Sequence, residues 1–191
     1  YEFVFTVSNA PCPSDSDTVQ ICVLTNPNAG LDQEVCGSSM TLAGNAVNAG
    51  GNETGTWTVL PAPGAIIFTP NVNDPNAVVS NMNTESSYQF IWTIDNGTCN
   101  LADTMNVNTY RMPVIGAGLD QNLCAATTTN LTGTTDIGTG VWTTTSSSAM
   151  VDSMTGAVSN MNTGECHEFI WTVTNGACQI ADTVIVCSIV I

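Results

Sequence analysis

Positive charge is almost missing from this sequence. Its 191 residues include a single Lys or Arg, Arg111, and one His against 16 Asp and Glu, for a formal net charge of −15. Binding to a phosphate backbone draws on cations that displace counterions, so nucleic acid is excluded as a partner. An anionic membrane surface repels the chain for the same reason. The shortage of Lys and Arg also leaves trypsin-like proteases one place to cut. Long hydrophobic runs are missing too: the longest charge-free apolar stretch, VIVCSIVI at 184–191, has the length of a strand, well short of the roughly 18 residues that read as a membrane helix. The opening YEFVFTVSN has no basic start and reads as a strand rather than a signal peptide, so the sequence is expected to be a mature or truncated piece of something longer. Charged residues amount to 9% against 43% hydrophobic ones, which excludes a disordered acidic linker.

Catalytic groups are as scarce. His167 is the one histidine, and its neighbour Cys166 falls on the opposite face of a strand, so the two cannot work as base and nucleophile. Glu165 with Glu168, or Asp15 with Asp17, are carboxylate pairs that nothing separates from solvated loop acids. No catalytic residue is assigned and no enzyme is expected. With no Cys-x-x-Cys and one histidine, zinc is disfavoured and no metal site is assigned. No cofactor is expected, and calcium is the one ion left open: SDSD at 14–17 and NVNDPN at 71–76 have the oxygen density but no defined ligand spacing. Turn-forming Asx side chains are the competing role for both.

What the sequence does contain is repetition. FIWTIDNGTCNLADT at 90–104 returns as FIWTVTNGACQIADT at 169–183 and, more loosely, as FVFTVSNAPCPSDSDT at 3–18. AGLDQEVC at 29–36 matches AGLDQNLC at 117–124, GTW ending at Trp57 matches GVW ending at Trp142, and VVSNMNT at 78–84 matches AVSNMNT at 157–163. The chain is therefore read as two whole repeats, 25–112 and 113–191, preceded at 1–24 by the C-terminal hairpin of a preceding or shared repeat.

Within a repeat the hydrophobic period is two. His167, Phe169, Trp171 and Val173 share one strand face, Cys166, Glu168, Ile170 and Thr172 the other, and Val184 and Val186 continue the inward phase after a turn at TNGACQIA. The Asn-Gly pair marks a hairpin. Earlier short strands are predicted around 40–43, 56–60, 66–69 and 77–81, between Gly, Pro and Asn clusters. Some seven strands in about 85 residues, with a Trp on an early strand, predict an all-β fold of tandem immunoglobulin-like sandwiches without helices.

Eight cysteines imply disulfide staples and an oxidising, extracytoplasmic setting. Cys36 and Cys124 open their repeats and Cys99 and Cys178 follow the hairpin turns, so the economical pairing is one bridge per repeat, Cys36–Cys99 and Cys124–Cys178. Cys166 and Cys187 lie on adjacent strands of one hairpin, on the outer face, and can reach one another; their counterparts in the first repeat are Ser87 and Asn108. Cys22 aligns with Cys187 and Cys12 with Cys99, so both would have partners outside this sequence, unless a local Cys12–Cys22 bridge closes the hairpin.

The assembled unit, AGLDQ, C, GTW, VSNMNT, FIWTVTNGAC and ADTV in that order, resembles the PKD-like and Ig-like tandem repeats of large cell-surface proteins of Bacteroidota, many of them exported by type IX secretion. The resemblance covers nearly the whole chain. It implies a structural or adhesive part of an extracellular filament or stalk at the cell surface, an adhesin or spacer without an active site. Its partners would be copies of itself or adjacent repeats in a fibre, with surface glycans or a host or other substratum as adhesive targets. It further implies O-glycosylation at Asp-Ser/Thr-apolar sites, which here are Thr18, Thr104, Ser153 and Thr183. Asp-Thr is equally good turn-to-strand chemistry. Asn52, Asn96 and Asn130 head Asn-x-Thr sequons that would matter mainly in a eukaryotic host. Both YEFVFTV and TVIVCSIVI are β-prone runs that need a neighbour, which leaves two modes of assembly, a covalent tandem array or β-strand complementation between subunits. The alternative function is a carbohydrate-binding or spacer module of a secreted multidomain hydrolase; the four tryptophans fall mostly in inward phase and speak against it.

Overall fold

The computed structural model of the protein describes residues 1–61 and 66–190, and the one helical element among them is a short 3-10 turn, Ala49–Gly51. No helix among the described residues is long and apolar enough to cross a membrane. The chain opens with a hairpin, β1 (Glu2–Asn9) and β2 (Cys12–Gln20), paired with each other and, among the described residues, with no other strand. Then come β3 (Gln33–Cys36), β4 (Met40–Thr41), β5 (Thr54–Leu60), β6 (Ile67–Thr69), β7 (Val78–Ser80), β8 (Ser86–Asp95) and β9 (Asn100–Tyr110). A second series follows with two strands more, β10 (Ile115–Gly116), β11 (Gln121–Cys124), β12 (Thr129–Asn130), β13 (Thr134–Thr135), β14 (Thr139–Thr144), β15 (Met150–Val151), β16 (Ala157–Ser159), β17 (Cys166–Asn175) and β18 (Cys178–Ile189), of which β10 and β13 pair with each other.

Sheet order repeats with the sequence. Four-stranded sheets β3-β9-β8-β5 and β11-β18-β17-β14 have three-stranded companions β4-β7-β6 and β12-β16-β15. Each four-stranded sheet is antiparallel except at one edge, where β3 runs parallel to β9 and β11 parallel to β18. By contacts the chain forms two compact units, one of residues 1–32, 40–80 and 88–106, the other of 33–39, 81–87 and 107 onward.

Alternation along the strands builds the cores. In β17, His167, Phe169, Trp171, Val173 and Asn175 are buried, and Val184 and Val186 of β18 complete the face together with Leu131, Trp142, Val158 and Met161. In β8, Tyr88, Phe90, Trp92 and Ile94 hold the same positions, and Phe68 of β6 meets the edge of Phe90 at 6.3 Å between ring centres. Trp57 lies opposite Trp92, and Trp142 opposite Trp171, with ring centres 5.0 and 5.1 Å apart at nearly the same tilt. This pairing explains the Gly two residues before each early Trp. A Cβ on Gly55 would overlap the indole of Trp92, and one on Gly140 the indole of Trp171.

The other repeated polar residues clamp the opening segment of each series to its final hairpin strand. Asp103 accepts from the Ala29 amide and Asp32 from the Asn106 amide, each at 2.8 Å; Asp182 accepts from Ala117 and Asp120 from Ile185, again at 2.8 Å. Asp in the Asp-Thr sequences at 103 and 182 is thus structural.

Candidate functional site, a disulfide-tied junction

Three disulfides form, and two of them differ from the economical pairing. Cys36 ends β3 opposite Tyr110, at the far end of β9, whereas Cys99 stands just before Asn100 at the near end. The 11 residues of β9 separate them, about 36 Å at ~3.3 Å per residue. Cys124, opposite Ile189, and Cys178, which begins the 12-residue β18, are held apart in the same way. A Cys36–Cys99 or Cys124–Cys178 bridge is therefore impossible. Cys36 instead bonds Cys178, with Cα atoms 4.9 Å apart, and Cys99 bonds Cys22 at 6.3 Å. Cys12 and Cys124 are exposed thiols. Cys12 begins the nine-residue β2 and Cys22 lies two residues past its other end, about 30 Å of strand away, which rules out the local bridge. Cys166 and Cys187 lie directly opposite one another and are bonded. Where the first series has Ser87 and Asn108, a 2.6 Å hydrogen bond from the Ser87 hydroxyl to Asn108 Oδ1 takes the place of the sulfur bridge.

Around Cys36–Cys178 the polar groups converge. The Asn175 side-chain amide donates to Glu85 Oε1 at 2.9 Å and to the Arg111 carbonyl at 3.0 Å, while the Arg111 amide donates to the same Glu85 oxygen at 2.8 Å. These donors, the Arg111 amide first and Asn175 second, hold the Glu85 carboxyl below its ordinary pKa. The chain's single basic side chain is used here: Arg111 Nη1 meets Asp136 Oδ2 at 2.7 Å, and the Val114 amide donates to the other oxygen of Asp136 at 2.9 Å. The Val114 amide, then the Arg111 guanidinium, lower the Asp136 pKa. Tyr110 packs against Gly176, where a Cβ would overlap the phenol ring; Gly176 has φ 52° at the first of two turn residues, as a type II′ hairpin requires. Burial, and next the charge of Glu34, raise the Tyr110 pKa. The Asn-Gly dipeptide thus splits its duties: Asn175 is the last ladder residue and turns its amide to the junction, and Gly176 makes the bend.

The remaining expected sites are scattered. Thr18, Thr104, Ser153 and Thr183 are all exposed. Asp152, before Ser153, caps a turn by accepting from the Met154 and Thr155 amides. In NVNDPN, Asn71 and Asp74 close Asx turns onto the amides of Asn73 and Asn76, and in SDSD, Asp15 and Asp17 accept from the residue that follows each. Among the described residues no three His, Cys, Asp or Glu side chains gather as a metal-binding group. His167 is a core residue, its Nδ1 2.9 Å from the Ser146 hydroxyl, and Cys166 beside it is committed to its disulfide.

This architecture matches known structures over nearly the whole chain. Drosophila OTK extracellular domains 3-5 align over 97% of this chain and 69% of that structure, with TM-score 0.53 and 11% identity. The N-terminal eight Ig domains of Down Syndrome Cell Adhesion Molecule align over 98% of this chain and 28% of theirs, with TM-score 0.52 and 12% identity. Sidekick-1 immunoglobulin domains 1-5 align over 96% and 45%, with TM-score 0.51 and 11% identity. The fold is immunoglobulin-like. At such identities the likeness carries the fold alone, and the chain spans less than half the length of two of these three structures. No protein-family model matches the Ig-like sequence, and no curated protein does.

Proposed function

We propose that this Ig-like chain is a structural and adhesive building block of an extracellular filament or stalk, with repeats at 25–112 and 113–191 following a hairpin at 1–24. The observation that carries the reading is the Cys36–Cys178 bond, which ties the turn of the last hairpin to the edge strand of the first four-stranded sheet. A flexible linker would need no such tie, whereas a module under tension or proteolysis gains from it. Three disulfides and cell-adhesion structures among the fold's neighbours support an extracellular place. Export by type IX secretion from a Bacteroidota cell, with O-glycans on the exposed Thr18, Thr104, Ser153 and Thr183, is the finer form of the proposal.

Assembly by strand complementation has support in the first hairpin. Phe3, Phe5, Val7 and Val19 stand at the repeat positions of Phe90, Trp92, Ile94 and Met105, which are buried, yet they are 54%, 72%, 54% and 58% exposed. A sheet face with core composition is thus open to the missing half of a sandwich. The carbohydrate-binding alternative needs a surface strip of aromatics, and all four tryptophans are buried. The test is the mass of the native polypeptide under denaturing conditions, before and after reduction. A reduced mass far above 19.9 kDa means a covalent tandem array. A reduced mass near it means separate subunits that complete each other's sheets. A native protein that remains a dispersed monomer of this size, with no fibre at the cell surface, overturns the filament reading.

A further inference from the structure

Two thiols, Cys12 and Cys124, are exposed and unbonded, and each has a bonded twin elsewhere in the chain. Cys124 is the counterpart of Cys36. Both are the last residue of a short edge strand that runs parallel to the final hairpin strand: Cys36 stands opposite Tyr110, Cys124 opposite Ile189. The next amide donates to that opposite residue at 2.8 Å in both places, Gly37 to Tyr110 and Ala125 to Ile189. Backbone conformation agrees as well. Gly37 has φ 105°, and Ala125 takes a positive φ of 47° although a Cβ disfavours it.

Cys12 is the counterpart of Cys178. Each follows an Asn-x-x-Cys turn and pairs across the hairpin with that Asn, Asn9 with Cys12 and Asn175 with Cys178. The third such turn, Asn96 to Cys99, is also bonded, to Cys22. Every bonded turn cysteine in the chain therefore reaches beyond its own hairpin, because its own edge-strand cysteine lies at the opposite end of the sheet. One chain thus carries one unused turn of this kind and one unused edge cysteine.

We propose that Cys124 of one copy and Cys12 of a second copy form a disulfide, repeating between chains the Cys36–Cys178 bond made within one. The contact is head-to-tail, so a linked pair keeps one free thiol of each kind for the next copy. The chain of copies grows as a covalent fibre wherever the rotation between copies does not close a ring. A disulfide donor, an oxidised thiol oxidoreductase in the extracytoplasmic space, takes up the electrons. Cys12 loses its proton and attacks the donor, giving a mixed disulfide; the Cys124 thiolate then attacks the Cys12 sulfur and expels the donor's thiolate. Two thiols give up two protons and two electrons, and the donor disulfide becomes a dithiol. This deepens the filament reading and rests on it.

The test uses the 191-residue chain with oxidised glutathione as the donor, read on non-reducing gels and by mass spectrometry. The wild type should give a ladder in steps of 19.9 kDa that collapses on reduction, with the Cys12 peptide joined to the Cys124 peptide. Cys12→Ser alone and Cys124→Ser alone should stay monomeric, and an equal mixture of the two should yield one dimer and stop there. Homodimers of either variant would mean indiscriminate oxidation of exposed thiols and overturn the proposal, as would a mixture that stays monomeric. Fibres in electron micrographs of a preparation with Cys12 and Cys124 still reduced would overturn the cross-link while leaving the filament reading intact.

Discussion

Removing the Cys36–Cys178 bond as the double variant Cys36→Ala/Cys178→Ala should cost more stability than removing Cys166–Cys187 the same way. The first closes a loop of 142 residues and the second one of 21. In the chain-entropy account the stabilisation grows with the logarithm of loop length, giving roughly 5 kcal/mol for the long loop and roughly 3 kcal/mol for the short one. Shortcuts through the other bridges shorten the long loop, but the logarithm makes the difference small. At about 2–4 °C per kcal/mol for a chain of this size, the melting point should fall by about 10–20 °C in the first variant and by about 6–12 °C in the second. Alanine suits the buried Cys178 position, where a serine hydroxyl would add an unpartnered polar group. Calorimetry, together with tryptophan fluorescence in guanidinium, reads both. An unchanged midpoint in Cys36→Ala/Cys178→Ala, or a smaller loss than in Cys166→Ala/Cys187→Ala, would refute the assignment of the junction bond as the chain's main tie.

Three further outcomes are expected. Gly55→Ala and Gly140→Ala push a methyl into the indoles of Trp92 and Trp171, and each should lose about 1–3 kcal/mol in denaturant titration; a neutral result at both sites would show that the tryptophan pairs shift freely. Phe90→Ala empties a position that is fully buried and should cost about 3–5 kcal/mol, whereas Phe5→Ala, 72% exposed at the equivalent hairpin position, should change the isolated chain by less than about 0.5 kcal/mol; equal losses would mean the hairpin face is already covered. Acid should destabilise the protein: backbone donors lower the pKa of Asp32 (Asn106 first), Glu53 (Asn48 first), Glu85, Asp136 and Asp152 (Thr155 first). Their folded forms bind fewer protons than the unfolded chain, so their stabilisation is complete above the ordinary carboxylate pKa of about 4 and is lost as pH falls below it. Thermal melts at pH 3 and pH 6 check this, and a higher melting point at pH 3 would mean that relief of repulsion among 16 acidic side chains outweighs the lost hydrogen bonds.

Repetition, strand positions and the buried face could be read from the sequence because each is local or nearly so. A period of two along FIWTV fixes which side chains point inward whatever the sheet packs against, and the burial of Phe169, Trp171 and Val173 follows from it. Cys166 and Cys187 could be matched for the same reason, since they share one hairpin and one face. The partners of Cys36, Cys99 and Cys178 could not. Their fate depends on the parallel pairing of β3 with β9, which carries Cys36 to the end of the strand remote from Cys99 and within reach of the next hairpin turn. A trace of that pairing lay in the sequence, in the recurrence of AGLDQ with ADT, whose aspartates clamp the edge segment in place, but spacing gives no direction along a strand. Sequence alone determined what the chain is made of and which side of each strand is buried, because side-chain alternation is a property of the backbone. Which strand ends meet, and therefore which sulfurs bond and which stay free, only the tertiary structure decided, because a bond of a few ångströms is chosen among ends separated by a whole strand.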